Sequence, residues 1–300
     1  MKIINISQKK FDSLPRLQLP NDIVNTEAEL YHFRYHKLFN GVLKKLYQIE
    51  GNSFANKLYT MEMLDFYKQY LPNDFVIPDT LISIKGEIKS FGMPEIEGTN
   101  LSVLLRDDNI SKELQLYFLK EIGIILDKLR NIRIHTPLKD IFIGDLQECN
   151  FIANPFTKDL YVIDLDSCKI AGNLASPARY LTKNALLNNA SHKYKINKCQ
   201  NIAAHVIPNE VSDLYCYIIV ILNYLYGANL NNISLEEFYE YLNYLEDLKL
   251  SINLLEIFES IVSYKETTNP KDLIETLTTE QIIRAKHNVY KKVRQKRGHF

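Results

Sequence analysis

The first hundred residues alternate short apolar runs with polar breaks, a pattern typical of β-strands. The stretches "AELYHFRYH" (28–36) and "LFNGVLKKLYQ" (38–48) favour strands, and the "EGNS" that comes next is a break. Strand-like runs return over 75–86 and 87–96. We therefore predict a small β-rich lobe over residues 1–97.

One helix is predicted inside this lobe, over residues 54–70. Its apolar residues recur every three or four positions, and Ser53 is placed to cap the first turn. The residues of this stripe are Phe54, Leu58, Met61, Leu64 and Phe66.

The rest of the chain is predicted to be mainly helical, with a short β-rich island around residues 143–168. A long apolar stripe over 111–132 starts at Ser111, a good helix cap. The apolar run at 215–226 is shorter than the ~20 residues of a membrane span, so it predicts a buried helix. The predicted fold class is α+β, with two lobes and the larger, helical one over 98–280.

Composition and charge exclude little beyond this. The chain is 46% hydrophobic and 24% charged, as ordinary globular proteins are, and 36 basic residues balance 36 acidic ones. Four cysteines without a CxxC pair, and a start without a signal-like segment, lead us to expect a reduced, cytoplasmic protein. Residues 281–300 form a basic tail with seven Lys/Arg and no acid, either a solvated helix end or a site for an anionic partner.

Two segments carry acids where chemistry could need them. In "IGDLQECNFI" (143–152), Asp145 precedes Asn150 by five residues; in "LYVIDLDSC" (160–168), an apolar run ends on Asp164 and Asp166 comes two residues later. Alone, each pattern is equally a polar turn after a strand. Together they could supply a base and two or three oxygen ligands for Mg²⁺, with both acids on one side of an extended backbone.

Upstream, "VLKKLY" offers a lysine for phosphate binding, either Lys44, which we favour, or Lys45 on the opposite face. Glu62, in the predicted helix that comes next, is placed to pair with that lysine. Taken singly, these residues are better explained as solvent-facing charges.

The order Lys, Glu, Asp–Asn, Asp resembles the protein-kinase superfamily, in an atypical bacterial form. The resemblance implies ATP and Mg²⁺ as cofactors and a role for each residue. Asp145 would accept or orient the proton of the acceptor, Lys44 would contact the phosphates, and Glu62 would position Lys44. The residues implied to hold the metal are Asn150, Asp164 and Asp166.

The resemblance extends over roughly residues 28–275. "FGMPEIEGTNL" (91–101) looks like the hinge that binds adenine, with Met93 as gatekeeper and the backbones of Pro94 and Ile96 facing the base. "SDLYCY" looks like the start of the central helix, where Asp213 would hold the backbone of the catalytic loop.

The chain also departs from the family pattern. No GxGxxG occurs, Ile143-Gly144 replaces His-Arg, and Asp164-Leu165-Asp166 replaces Asp-Phe-Gly. Gly144-Asp145 is similar to the motif of aminoglycoside and choline phosphotransferases. No Ala-Pro-Glu follows, and "SPARYL" (176–181) lies near its place.

The leading hypothesis is an ATP- and Mg²⁺-dependent kinase that phosphorylates protein Ser/Thr. The alternatives are a small-molecule kinase, a pseudokinase that binds nucleotide without transfer, and a scaffold whose basic tail docks on nucleic acid or an acidic protein. We expect neither a membrane nor a nucleic-acid partner, since no such motif accompanies the tail.

Overall fold

The fold is mixed α/β, built from a five-stranded sheet, a smaller sheet and several helices. The structure is a computed structural model. It describes residues 1–19, 28–35, 39–47, 49, 51–174, 207–227, 229–230, 237, 240–241, 243 and 278–289. Within these ranges, no helix is both long and apolar enough to cross a membrane. The segment 176–181 and the end of the basic tail lie outside them.

The five-stranded sheet occupies the first hundred residues and has the order β1-β4-β5-β3-β2. Its edge strand β1 runs parallel to β4, and the other neighbours are antiparallel. The strands predicted from alternation are confirmed, whereas β1 was not predicted. The strands are β1 (Lys2–Asn5), β2 (Ala28–Tyr35), β3 (Phe39–Leu46), β4 (Thr80–Ile84) and β5 (Glu87–Pro94). A short helix, α1 (Gln8–Asp12), follows β1.

The helix predicted over 54–70 is present, but its start is wrong. Helix α2 spans Gly51–Tyr67, and a 3-10 turn continues it over Lys68–Tyr70. Ser53 therefore lies inside the helix and does not cap it. The buried face consists of Thr60, Met61 and Leu64, whereas Phe66, predicted to belong to the stripe, is exposed.

The second part of the described chain is mainly helical around a small sheet of β6 (Thr99–Asn100), β7 (Phe151–Ala153) and β8 (Leu160–Val162). The predicted cap of the long helix is confirmed, because the Ser111 side chain accepts from the Leu114 N–H. The apolar run near 215–226 forms a helix whose residues from Val211 onward are all buried, as predicted. The helices are α3 (Leu101–Leu104), α4 (Lys112–His135), α5 (Glu210–Tyr226) and α6 (Thr279–Val289).

Strands β3 and β5 approach closely where Gly41 pairs with Pro94. A Cβ at Gly41 would collide with the Met93 carbonyl oxygen and would lie 2.8 Å from the Phe39 ring. The first of these neighbours is backbone and the second is a buried side chain, so neither yields without cost.

Gly41→Ala is therefore expected to lower the free energy of unfolding by about 1–3 kcal/mol, because the added methyl group overpacks the strand pair. Urea unfolding measures the loss. Asn40→Ala, one residue away and exposed, serves as the control and should change stability little. Equal stability of the two variants would contradict the close approach.

Candidate active site

The site begins where β8 ends. Asp164 adopts a left-handed conformation (φ 63°, ψ 40°), which aspartate tolerates better than most residues. A 3-10 turn over Leu165–Ser167 comes next and carries Asp166 into the interior. The prediction that both acids project from one extended backbone is therefore wrong, because β8 ends at Val162 and the chain turns at Asp164.

The two carboxylates nevertheless meet, at the ammonium group of Lys44. Lys44 projects from β3 and its side chain is only 3% exposed. Its Nζ bonds to the Asp164 carboxylate and donates to Asp166 Oδ1 at 2.8 Å. Of the two candidate lysines, Lys44 is thus the one that reaches the acids. Lys45 projects to the other face, over the Phe11 ring at 5.2 Å.

A second lysine, missed in the sequence, completes this cluster. Lys57 of α2 places its Nζ 2.7 Å from Asp166 Oδ2 and 3.3 Å from Ser167 Oγ. Its position was detectable, since Lys57 lies one turn before Met61 on the buried face of α2. Glu62 is one residue past Met61, about 100° around the helix, and is exposed. The predicted pairing of Lys44 with Glu62 is wrong.

The charges of this cluster shift its pKa values in opposite directions. Burial and the neighbouring Asp166 raise the pKa of Asp164 to about 6, against the effect of Lys44. For Asp166, burial is outweighed by Lys44 and Lys57, which lower its pKa. For Lys44, burial is likewise outweighed by the two carboxylates, which raise its pKa. Of the two acids, Asp164 is therefore the more readily protonated, and the two lysines keep Asp166 ionised.

The loop that carries Asp145 is organised by two side-chain amides. Gln147 Nε2 donates to both carboxylate oxygens of Asp145, at 3.1 and 3.0 Å. Asn150 Nδ2 donates to the Asp145 carbonyl at 2.8 Å and to its Oδ2 at 3.1 Å. Gln147 was not predicted to be a site residue, although it lies between Asp145 and Asn150 in the sequence. Since only the amino end of an amide can donate, Asn150 Oδ1 faces the other way, 3.7 Å from the Cys149 thiol.

This loop is fixed to the strand that delivers Asp164. The Ile163 N–H donates to the Asn150 carbonyl at 2.9 Å, one residue before Asp164. The backbone therefore holds Asp145, Asn150 and Asp164 in one connected unit.

The other side of the loop is fixed by Asp213, from the first turn of α5. Its Oδ2 accepts the Ile143 N–H at 2.8 Å and its Oδ1 accepts the Gly144 N–H at 2.9 Å. The predicted contact of Asp213 with the backbone of this loop is thus confirmed, and it lies at the two residues before Asp145. Gly144 has φ +73°, and a Cβ there would lie 3.0 Å from the Pro208 ring, so the position favours glycine.

Burial raises the pKa of Asp213 to about 6, although the two N–H groups lower it. Because this is above the ordinary value of 3.8, the folded state holds the proton more tightly than the unfolded chain. The resulting stability is fully present below about pH 4 and is lost as the pH rises through about 6.

As the pH rises from 4 to 7, the stability of Asp213→Asn, which cannot ionise, is therefore expected to rise relative to that of the parent protein by at most about 3 kcal/mol. The amide has a single acceptor oxygen and loses one of the two N–H bonds at every pH, so the trend with pH is the quantity compared. Urea unfolding of both proteins across this range measures the difference. A relative loss for the variant over the same range would mean that the two N–H bonds outweigh burial.

The residues predicted to form a hinge lie at the end of β5. Met93 is buried, Pro94 is the exposed last residue of the strand, and Ile96 is half-buried. Met93 and Ile96 belong to the same apolar cluster as Ile163, the residue before Asp164. This segment therefore adjoins the cluster of acids and lysines.

The oxygen atoms of the site could supply some, but not all, of the ligands of a hard cation such as Mg²⁺. Across the described residues, no group of three or more His, Cys, Asp or Glu is arranged to hold a metal. The oxygen donors present are the carboxylates of Asp164 and Asp166 and the amide oxygen of Asn150. Magnesium is often bound through one or two carboxylates, with substrate phosphates completing its shell, so this smaller set fits a nucleotide-bound ion.

No protein-family model matches this chain, and a search of curated proteins found no match. The chemistry of the site must therefore be argued from its own residues. They comprise a half-buried carboxylate oriented by two amides, a second carboxylate at a strand end, and a buried lysine that reaches it from the larger sheet.

Proposed function

We propose that the protein is an ATP- and Mg²⁺-dependent phosphotransferase with a two-lobed, protein-kinase-like fold, and that it phosphorylates serine or threonine in a protein. The lobes would comprise residues 1–97 and 98–280, with 281–300 as a basic tail. The observation that carries the proposal is the meeting of Lys44 with Asp164 beside the loop of Asp145 and Asn150.

The residues of the loop suit a phosphoryl-transfer site. Phosphoryl transfer needs a positioned nucleophile and neutralised charge more than covalent chemistry from the protein. Asp145 would accept or orient the acceptor proton, since the amides of Gln147 and Asn150 hold its carboxylate in one orientation. Glu62, exposed on α2, takes no part.

The nucleotide would lie between the end of β5 and the cluster of acids and lysines. Asp164 and the Oδ1 of Asn150 would hold Mg²⁺, which would neutralise charge on the phosphates. Lys44 would donate to a phosphate oxygen. The backbone of Pro94 and Ile96 would face adenine, with Met93 behind it.

A second candidate, a nucleotide-binding module without transfer, is favoured by one observation. Lys44 already bonds to both carboxylates that could hold the metal. Unless a ligand separates Lys44 from Asp164, the site would admit no magnesium ion.

A thermal-shift titration with ATP, with and without Mg²⁺, tests the binding common to both candidates. A ligand that binds only the folded state raises the melting temperature by mass action. We expect a rise that grows with ATP and is larger with Mg²⁺; an unchanged melting temperature at millimolar ATP–Mg²⁺ would contradict both.

A panel of labelled-ATP reactions with protein, aminoglycoside and choline-type acceptors then separates the functions. Transfer to protein supports the proposal, and transfer to a small molecule replaces its acceptor. Binding with no transfer to any acceptor leaves the nucleotide-binding module.

A further inference from the structure

The innermost acid of the site is Asp166, whose side chain is 1% exposed. Its two oxygens are divided between two lysines from different elements, Oδ1 to Lys44 of β3 and Oδ2 to Lys57 of α2. Asp164, by contrast, is 30% exposed and forms its ion pair with Lys44.

We propose that Asp166 positions Lys44 and that Lys57 holds Asp166 in place. This pair then takes the role that was predicted for Glu62. The inference rests on the proposed nucleotide site and assigns roles within it. Asp164 then remains as the carboxylate that faces the metal.

The first argument is the need to hold Lys44 in one conformation. A lysine side chain is flexible and its ammonium is strongly hydrated, so a buried lysine needs a fixed partner. Helix α2 presents Lys57, not an acid, toward the site, and Glu62 faces outward. The carboxylate that α2 holds in the site, through Lys57, is therefore Asp166.

The second argument is burial. A metal ion on Asp166 would have to displace an ammonium group from a carboxylate that is only 1% exposed, and so break one of its two buried ion pairs, which is unfavourable. An ion on Asp164 can approach from solvent. When phosphate arrives, Lys44 can exchange its bond to Asp164 for one to a phosphate oxygen while its bond to Asp166 persists.

The third argument is that residues 56–60 of α2 are hydrogen-bonded to the segment after Asp166. Asn56 exchanges two hydrogen bonds with the backbone of Leu174, at 2.6 and 3.0 Å. Tyr59 donates to the Ala171 carbonyl at 2.9 Å, and Asn173 donates to Thr60 Oγ1 at 2.6 Å. The bond from Lys57 to Asp166 belongs to the same set of contacts between α2 and this part of the chain. The position of α2 therefore determines where Asp166, and through it Lys44, is held.

A double-mutant cycle on ATP affinity tests the link between Asp166 and Lys44. Asp166→Asn is expected to weaken ATP–Mg²⁺ binding at least tenfold in the parent protein but less than twofold when Lys44→Met is already present. Asp166→Asn should change the affinity of the nucleotide complex for Mn²⁺ by less than twofold, whereas Asp164→Asn should weaken it more than tenfold. Additive effects of the first two variants, or equal losses of Mn²⁺ affinity, would overturn the proposal.

Substitutions of Lys57 test whether this lysine holds Asp166 in place, and they remain informative if Asp166→Asn does not fold. Lys57→Met should weaken ATP binding severalfold, and Lys57→Arg, which keeps the charge and the donor, should stay within twofold of the parent protein. Glu62→Gln, on the same helix, is the matched control and should leave affinity unchanged. Equal affinities for the Met and Arg variants, or a loss in the Glu62 variant, would refute the assignment.

A measurement without nucleotide separates this inference from the proposed function. The unfolding free energies of Lys57→Met, Asp166→Asn and the double variant form a second cycle, expected to be strongly non-additive. If ATP does not bind the parent protein, the proposed function fails, and the role of Asp166 in positioning Lys44 for phosphate fails with it. Non-additivity in that case leaves only the structural pair of Lys57 and Asp166, and additivity removes the pair as well.

Discussion

Asp145→Asn is expected to lower phosphate transfer by about 10²–10⁴-fold while ATP binding stays near that of the parent protein. The amide keeps the shape of the carboxylate but loses the ability to accept a proton. Gln147 donates to both oxygens of this carboxylate and Asn150 donates to Oδ2, so an asparagine with its oxygen at the Oδ2 position loses one bond from Gln147. The transfer rate with labelled ATP, measured beside ATP affinity by calorimetry, gives the result.

The matched control is Asp108→Asn, which removes a carboxylate that is fully exposed. It should leave both transfer and binding unchanged. Full activity of the Asp145 variant would remove Asp145 from the proposed mechanism, and a parallel loss of ATP affinity would show that the change disturbs the fold of the loop.

Lys44→Met is expected to have the largest effect on stability, a loss of about 3–5 kcal/mol in unfolding free energy. Methionine fills the volume of the lysine stem but leaves the buried Asp166 with Lys57 alone and Asp164 without the ammonium. The same change should weaken ATP binding strongly but leave it measurable. Urea unfolding and calorimetry measure the two effects.

Lys45→Met provides the control, because it alters the neighbouring residue on the other face of β3. Lys45 lies over the rings of Phe11 and Tyr31, and such contacts contribute about 0.5–1 kcal/mol at partly exposed sites. Equal effects for the two lysine variants would contradict the placement of Lys44 in the site.

Local pattern was sufficient to predict most of the helices and strands that could be compared. Ser111 and the stripe after it predicted the long helix, and the apolar run near 215–226 predicted the buried one. The edge strand β1 was missed because its parallel pairing with β4 joins residues nearly 80 positions apart, and local pattern carries no information about such pairing. Ser53 was placed at the start of α2 by residue type, although the helix begins two residues earlier.

The site was predicted in part, for reasons that differ from residue to residue. Lys44, Asp145, Asn150 and Asp164 follow from motif spacing. Lys57 was missed because a lysine in a helix is usually assumed to face solvent, whereas Lys57 lies on the buried face of α2. The side of Asp166 could not be inferred from alternation, because alternation applies only while the strand continues, and this one ends at Val162.

The burial of α5 has a consequence for the motions of the loop that carries Asp145. Amide hydrogens in so enclosed a helix exchange with solvent only when the protein opens on a large scale. Asp213 lies in its first turn and binds the amides of Ile143 and Gly144. In deuterium these two amides should therefore exchange about as slowly as the helix itself, although they belong to a loop.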